Sequence, residues 1–95
     1  MPTDNLDSPD LDSAFALALQ LAERVALEPL QLIATADRLN AAQRFTDVAT
    51  LYQRWLAHCS SSVNYIVQFN LGVTLSLLAQ LPAAENAYRA AIAQN

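Results

Sequence analysis

Apolar side chains recur every three or four residues along most of this chain, which is the spacing of one face of an α-helix. The first such face holds Leu11, Phe15, Ala18, Leu19, Ala22, Val25 and Ala26. No stretch shows the apolar–polar alternation of a strand bounded by turn residues. The pattern therefore predicts an all-α fold of about five helices. The expected helices run from Asp10–Ser13 to about Leu27, from Leu30 to Ala41, from Thr46 or Asp47 to Ala57, from Val63 or Asn64 to Ala79, and from Pro82 to Gln94.

Proline and polar residues indicate where these helices begin. Pro29 and Pro82 suit the first turn of a helix, where the missing N–H costs no hydrogen bond. Thr46 or Asp47 can cap the third helix with a side-chain oxygen. The polar run 59–62 separates the third helix from the fourth. The last four helices therefore form two helix–turn–helix pairs, and the first helix has no partner of its own.

The two pairs share characteristic residues at matching positions. The second pair holds Gly72, Leu75, Ala84 and Tyr88, and the first holds Ala36, Leu39, Val48 and Tyr52 at positions 36 residues earlier. Small residues at 36 and 72 allow two antiparallel helices to approach closely. The leucines and tyrosines then fill the space that remains between the helices.

This spacing resembles the tetratricopeptide repeat, a 34-residue helix–turn–helix with the pattern W-x2-L-G-x2-Y…A-x3-F…P. Leu71 and Gly72 occupy its L-G pair, while Gln68 departs from the tryptophan position. In the first pair, Thr35 replaces the leucine and Ser60 replaces the proline, so that copy is degenerate. The two surplus residues of its period are best placed in the loop 59–62, where extension costs little.

The resemblance implies a stack of antiparallel helical hairpins, an α-solenoid, with an extra N-terminal helix. The expected organisation is a disordered acidic leader at 1–9, a capping helix at 10–28, a degenerate repeat at 29–62 and a second repeat at 63–95. The final proline position of the pattern falls one residue beyond Asn95. We therefore expect the array to continue in a longer parent protein.

A wider resemblance covers most of residues 13–95. The segments LIATADRLNAAQRFTDVATLYQRWLAH and FNLGVTLSLLAQLPAAENAYRAAIAQN are similar to the N-terminal repeats of bacterial SPINDLY-type O-linked N-acetylglucosamine transferases. The resemblance implies a protein-binding region that presents substrates to a glycosyltransferase. These 95 residues contain no catalytic domain of that kind, so no enzyme activity is expected of the chain itself. The alternative is a non-enzymatic scaffold or assembly factor that binds a peptide in the same groove.

Charge and composition limit the classes of binding partner and the cellular location that we expect. Four of the nine acidic residues lie within the first twelve positions, so the remaining five are balanced by five basic residues. Without a basic stripe, nucleic acid is not an expected partner. No apolar run reaches the 18 or so residues that span a bilayer, so no membrane is expected either. Cys59 is the only cysteine, which favours a reducing, cytoplasmic location.

The residues that could carry chemistry are sparse. His58 and Cys59 are adjacent, so on a helix they point in different directions and no third group orients them. One histidine and one cysteine cannot complete a metal site. Neither a catalytic residue, nor a metal, nor a cofactor is therefore expected.

The predicted binding surface is a peptide groove on the first helix of each pair. Asn70 is its central candidate, because an asparagine side chain can both donate to and accept from a peptide backbone. In the glycosyltransferases that the chain resembles, such asparagines form a ladder along the groove. Ala34 at the corresponding position of the first repeat breaks the ladder here. The other candidates are Phe69, Val73, Ser76, Leu77, Asp37 and Asn40, with Ala41 beside them.

Two further surfaces follow from the pattern. Trp55 is either a bulky filler of the core or an aromatic anchor for a peptide partner. The C-terminal helix carries Ala84, Ala87, Tyr88, Ala91 and Ile92, part of which must face away from its own hairpin. Because repeat arrays need a polar end, we expect self-association through this helix.

Overall fold

A computed structural model describes residues 9–94, and within this range the chain forms five α-helices and no strand. The helices are α1 (Pro9–Glu23), α2 (Pro29–Ala41), α3 (Phe45–His58), α4 (Asn64–Leu77) and α5 (Leu81–Gln94). The all-α prediction is confirmed. The expected leader lies outside the described residues except for Pro9, which already belongs to α1.

The helices pack in chain order as a stack of hairpins. Helices α2 and α3 form one hairpin and α4 and α5 the next, with α3 packed against α4 where the two hairpins meet. Helix α1 packs against α2 and α3 but not against α4 or α5, so it covers one end of the stack. Connections of three to five residues make consecutive helices antiparallel.

The internal repeat extends to the helix boundaries. Helix α5 begins and ends 36 residues after α3, and α4 ends 36 residues after α2. Equivalent positions are buried in both hairpins, namely Leu39 and Leu75, Val48 and Ala84, Leu51 and Ala87, and Trp55 and Ala91. The offset is constant within the helices. The placing of the two residues beyond a 34-residue period in the loop 59–62 stays a prediction.

Helix α1 ends at Glu23, four residues before the expected end at Leu27. Val25 adopts a left-handed backbone conformation with φ of 56°. The N–H of Ala26 donates to the carbonyl of Leu21 at 2.8 Å, which closes the helix in a Schellman motif. Val25 and Ala26, expected on the apolar face, are exposed because the helix has ended before them.

Helices α2 and α4 end in the same way at equivalent residues. Gln43 and Ala79 have φ of 60° and 61°. In each case the next amide donates to a carbonyl five residues earlier at 2.9 Å, from Arg44 to Leu39 and from Gln80 to Leu75. This motif ends α4 at Leu77, two residues before the expected Ala79.

The start of α3 differs from the predicted cap. Helix α3 begins at Phe45, and neither Thr46 nor Asp47 caps it. The Asp47 carboxylate instead accepts a hydrogen bond from Arg44 at 2.8 Å. This ion pair holds the preceding residue against the first turn of the helix.

Trp55 lies in the core, which confirms the interpretation of this residue as a filler. Its side chain is 1% exposed. The indole N–H donates to the Leu27 carbonyl at 2.8 Å, so its single polar group is satisfied. The bond joins α3 to the connection between α1 and α2.

Apolar contacts and ion pairs together hold α1 in place. Leu11, Ala18 and Ala22 are buried, and Phe15 and Leu19 pack against the core from partly covered positions. Three ion pairs link α1 to the first hairpin, namely Arg38 to Asp10 at 3.3 Å, Arg44 to Asp12 at 2.6 Å, and Arg54 to Glu23. Since exposed pairs contribute about 0–1 kcal/mol each, apolar burial is the larger contribution.

Gly72 lies against the ring of Tyr88, as the repeat pattern predicts. A Cβ atom at position 72 would come within 2.7 Å of two ring carbons of Tyr88. Real side chains do not approach so closely, so either the ring or the helix must move. The missing side chain of Gly72 therefore sets the distance between α4 and α5.

We expect Gly72→Leu to lower the free energy of unfolding by about 1–3 kcal/mol through overpacking. Helix propensity alone would act in the opposite direction, by about 1 kcal/mol. Chemical denaturation measures the difference. The added variant Tyr88→Ala should recover part of the loss, since it removes the ring that the new side chain strikes. A Gly72→Leu protein as stable as the original would show that the contact with Tyr88 does not constrain the hairpin.

Candidate peptide groove

A cavity of about 350 Å³ opens between α2 and α4, with α3 contributing to its lining. Its lining combines amide, carboxylate, hydroxyl and apolar side chains. The lining residues are Asp37, Asn40, Phe45, Tyr52, Asn70, Val73, Thr74 and Leu77. The cavity is open to solvent along one side, so an extended ligand could enter it.

Five of the seven predicted groove residues line this cavity, namely Asp37, Asn40, Asn70, Val73 and Leu77. Phe69 and Ser76 do not. Phe69 is 54% exposed and its ring lies 5.5 Å from that of Tyr88. Ser76 is exposed, and so is the neighbouring Ala41. Whether the cavity binds a peptide stays a prediction.

Sequence reasoning missed Phe45, Tyr52 and Thr74. The repeat pattern places Tyr52 at a packing position between helices, and this residue is indeed 2% exposed. It nevertheless lines the cavity. The hydroxyl of Thr74 donates to the backbone carbonyl of Asn70 at 3.0 Å. Periodicity predicts which residues are buried, but it does not predict which of the buried residues also line a cavity.

Tyr52 lies at the polar end of the cavity. Burial raises the pKa of the Tyr52 hydroxyl, and the negative charge of Asp37 raises it further. A hydrogen bond with the Asn70 side chain acts in the opposite direction on the same pKa. Asn70 and Tyr52 therefore lie close together at the polar end of the cavity.

A second, smaller depression of about 150 Å³ lies between the N-terminal ends of the same two helices. It is lined by Pro29, Leu30, Ile33, Val63, Ile66 and Val67, all of them apolar. Ile33 lies one helical turn before Asp37 on α2. Both depressions lie between α2 and α4, and we call them together the groove, of which the smaller part is apolar and the larger part is partly polar.

Asp37 is the one charged residue lining either depression. It is exposed, and no ion pair to it is found between residues 9 and 94. A cationic group of a ligand could therefore pair with it without displacing an existing partner. The groove can thus offer a carboxylate, two amides and an apolar surface within a few helical turns.

The cysteine and histidine show no arrangement for chemistry. The Cys59 thiol is buried 3.6 Å from the Ala22 carbonyl oxygen, and burial raises its pKa. A reactive thiolate needs the opposite environment. His58 is the exposed last residue of α3. Within residues 9–94 no three His, Cys, Asp or Glu side chains come together in a way that could hold a metal ion.

Comparison of the chain with protein-family models, curated protein sequences and solved structures gave no match. Within the described part of the chain, none of the helices has both the length and the apolar character needed to cross a membrane.

The environment of Tyr52 predicts a pH effect. The native state keeps the Tyr52 proton at a pH where the unfolded state, with an ordinary tyrosine pKa of about 10, releases it. The stabilising contribution is complete below pH 10 or so and is lost as pH rises further. In an alkaline titration of the native protein, part of the phenolate absorbance of the three tyrosines should appear at a higher pH than that of an ordinary tyrosine. We call this part the late fraction.

Tyr52→Phe should abolish the late fraction, and the same titration in denaturant should show none. If native and denatured protein give the same titration curve, the hydroxyl of Tyr52 does not have the buried environment described above.

Proposed function

We propose that this chain is a protein-interaction module of tetratricopeptide type that binds a peptide segment in the groove between α2 and α4. The observation that carries the proposal is that Asn70 of α4 and Asp37 of α2 line the same solvent-open cavity. The amide of Asn70 can both donate to and accept from a peptide backbone, and the carboxylate of Asp37 can pair with a cationic group of the peptide.

The groove suits an extended peptide because its polar and apolar ends would serve different parts of the ligand. Asn70 can bond the peptide backbone, which any sequence provides. The apolar depression beside Leu30 and Ile66 can receive an apolar side chain. Specificity would then depend on the apolar side chain of the peptide and on the peptide group that lies opposite Asp37.

The resemblance to SPINDLY-type transferases supplies one setting for this binding. In that setting the module holds a protein substrate for a glycosyltransferase domain of the same parent protein. In the alternative setting the chain is part of a non-enzymatic scaffold or assembly factor, and its function is to bind the peptide. A glycosyltransferase domain in the full-length reading frame would select the first setting. Further repeats without such a domain would select the second.

Two further proposals concern location and partners. A cytoplasmic location is compatible with Cys59, whose thiol is free and buried. The expected partner is a protein segment, not a nucleic acid or a membrane. The chain would also associate with itself through α5, which leaves Leu81 and Ile92 exposed.

A random peptide library displayed on phage tests the proposal, because such a library samples many ligand sequences at once. Selected peptides should perturb backbone amide resonances of α2 and α4 in the labelled protein. Asn70→Ala should weaken the selected peptides about tenfold, equivalent to about 1.4 kcal/mol. Asn86→Ala is the matched control, because Asn86 is an exposed asparagine of α5 outside the groove. Binders that perturb other helices, or that tolerate Asn70→Ala as well as Asn86→Ala, would contradict the proposal.

A further inference from the structure

The first hairpin shows how this fold covers the outer side of its second helix. On α3, the positions Phe45, Ala49, Tyr52 and Leu56 lie on one side at helical spacing. Phe45 and Tyr52 line the cavity together with residues of α4, so this side faces α4. Ala49 and Tyr52 are buried, and Phe45 and Leu56 are partly covered. Helix α4 is therefore the cover of the first hairpin.

Between residues 9 and 94, no helix packs on the same side of the second hairpin. The equivalent positions on α5, 36 residues later, are Leu81, Glu85, Tyr88 and Ile92. The ring of Tyr88 packs against Gly72 and Phe69 of α4. We call the other three residues, Leu81, Glu85 and Ile92, the α5 outer face. Leu81 is 62% exposed and Ile92 is 76% exposed. Ala84, Ala87 and Ala91, which the sequence pattern offers as part of an outward surface, are instead buried within the stack. The small alanines let α5 approach α4 closely, which leaves the two large side chains to solvent.

We propose that the α5 outer face is a dimer interface that binds the same face of a second copy of this chain, with the two α5 helices antiparallel. The geometry of α5 supports a second copy as the occupant. Leu81 and Ile92 lie eleven residues apart, close to three full turns, and thus on the same side of the helix. An antiparallel pairing about a twofold axis between residues 86 and 87 brings Leu81 of each protomer to the partner's Ile92.

The charges of α5 fit the same pairing. Glu85 and Arg89 form an ion pair within the helix at 2.6 Å, and both side chains are largely exposed. In the antiparallel pairing Glu85 of one protomer lies close to the partner's Arg89, on both sides of the axis. The face is therefore self-complementary, with an apolar contact at each end and opposite charges near the middle. Such a surface is what a twofold interface requires.

This inference deepens the proposed self-association and does not depend on peptide binding. The peptide groove lies between α2 and α4, whereas the dimer contact lies on α5. Two grooves would remain accessible in the dimer. A dimer could then bind two segments of one partner with increased avidity.

The test uses two single variants that should each prevent association. Leu81→Glu and Ile92→Lys each place a charge against an apolar side chain at both ends of the interface. Both positions are exposed, so the fold should persist, and circular dichroism checks this. Light scattering coupled to size exclusion over a dilution series should give twice the chain mass of 10.3 kDa for the original protein at high concentration. Each variant alone should give the single mass.

Mixing the two variants gives the decisive result. In a mixed dimer, one end keeps its Leu–Ile contact and the other end brings the introduced carboxylate to the introduced ammonium. The equimolar mixture should therefore regain the dimer mass, and added salt should weaken it because the new pair is exposed. Leu17→Glu is the control, since Leu17 is an exposed leucine of α1 at the other end of the stack. That variant should dimerise like the original protein.

Three results would overturn the inference. One is a monomer at every concentration of the original protein, and another is a mixture of variants that stays monomeric. The third is a mass that grows beyond the dimer and is reduced by Leu17→Glu, which indicates head-to-tail association between α5 and α1. None of these outcomes bears on peptide binding, because the measurements contain no peptide.

Discussion

The hydrogen bond from the Trp55 indole to the Leu27 carbonyl joins the three helices on which the rest of the chain is built. Leu27 follows the left-handed turn at Val25, a conformation that a β-branched residue adopts only at a cost of about 1–2 kcal/mol. The turn directs the chain so that this carbonyl meets the indole inside the core. Burial of the largest side chain in the protein, with its N–H satisfied, offsets that cost and fixes α1 against α2 and α3.

The second hairpin repeats the first at an offset of 36 residues. Some equivalent residues play the same packing role in both hairpins, whereas others differ because only the first hairpin is covered by α4. Ala36 and Gly72 keep the helices close in both hairpins, and in the second the ring of Tyr88 uses the space. Tyr52, the equivalent of Tyr88, is instead covered by α4 and lies beside Asn70. The junction between hairpins therefore creates the polar cavity, which a single hairpin could not form.

Much of this architecture follows from the sequence. Helical periodicity and the paired small residues predict five helices, their order and five residues of the groove. The helix ends are harder to place because glycine usually marks a left-handed C-terminal residue. Here Val25, Gln43 and Ala79 occupy those positions, so the usual signal is missing. Tyr52 escapes prediction as a groove residue for a different reason, since it is almost fully buried and still lines the cavity.

Hydrogen exchange of the Trp55 indole proton tests the central packing claim most directly. The chain has one tryptophan, so the indole resonance is assigned without ambiguity. A buried N–H bonded to a backbone carbonyl should exchange only when the protein unfolds, with a free energy of opening close to that of global unfolding. Exchange as fast as that of an exposed indole would contradict the account, because Trp55 would then not join α3 to the turn that follows α1.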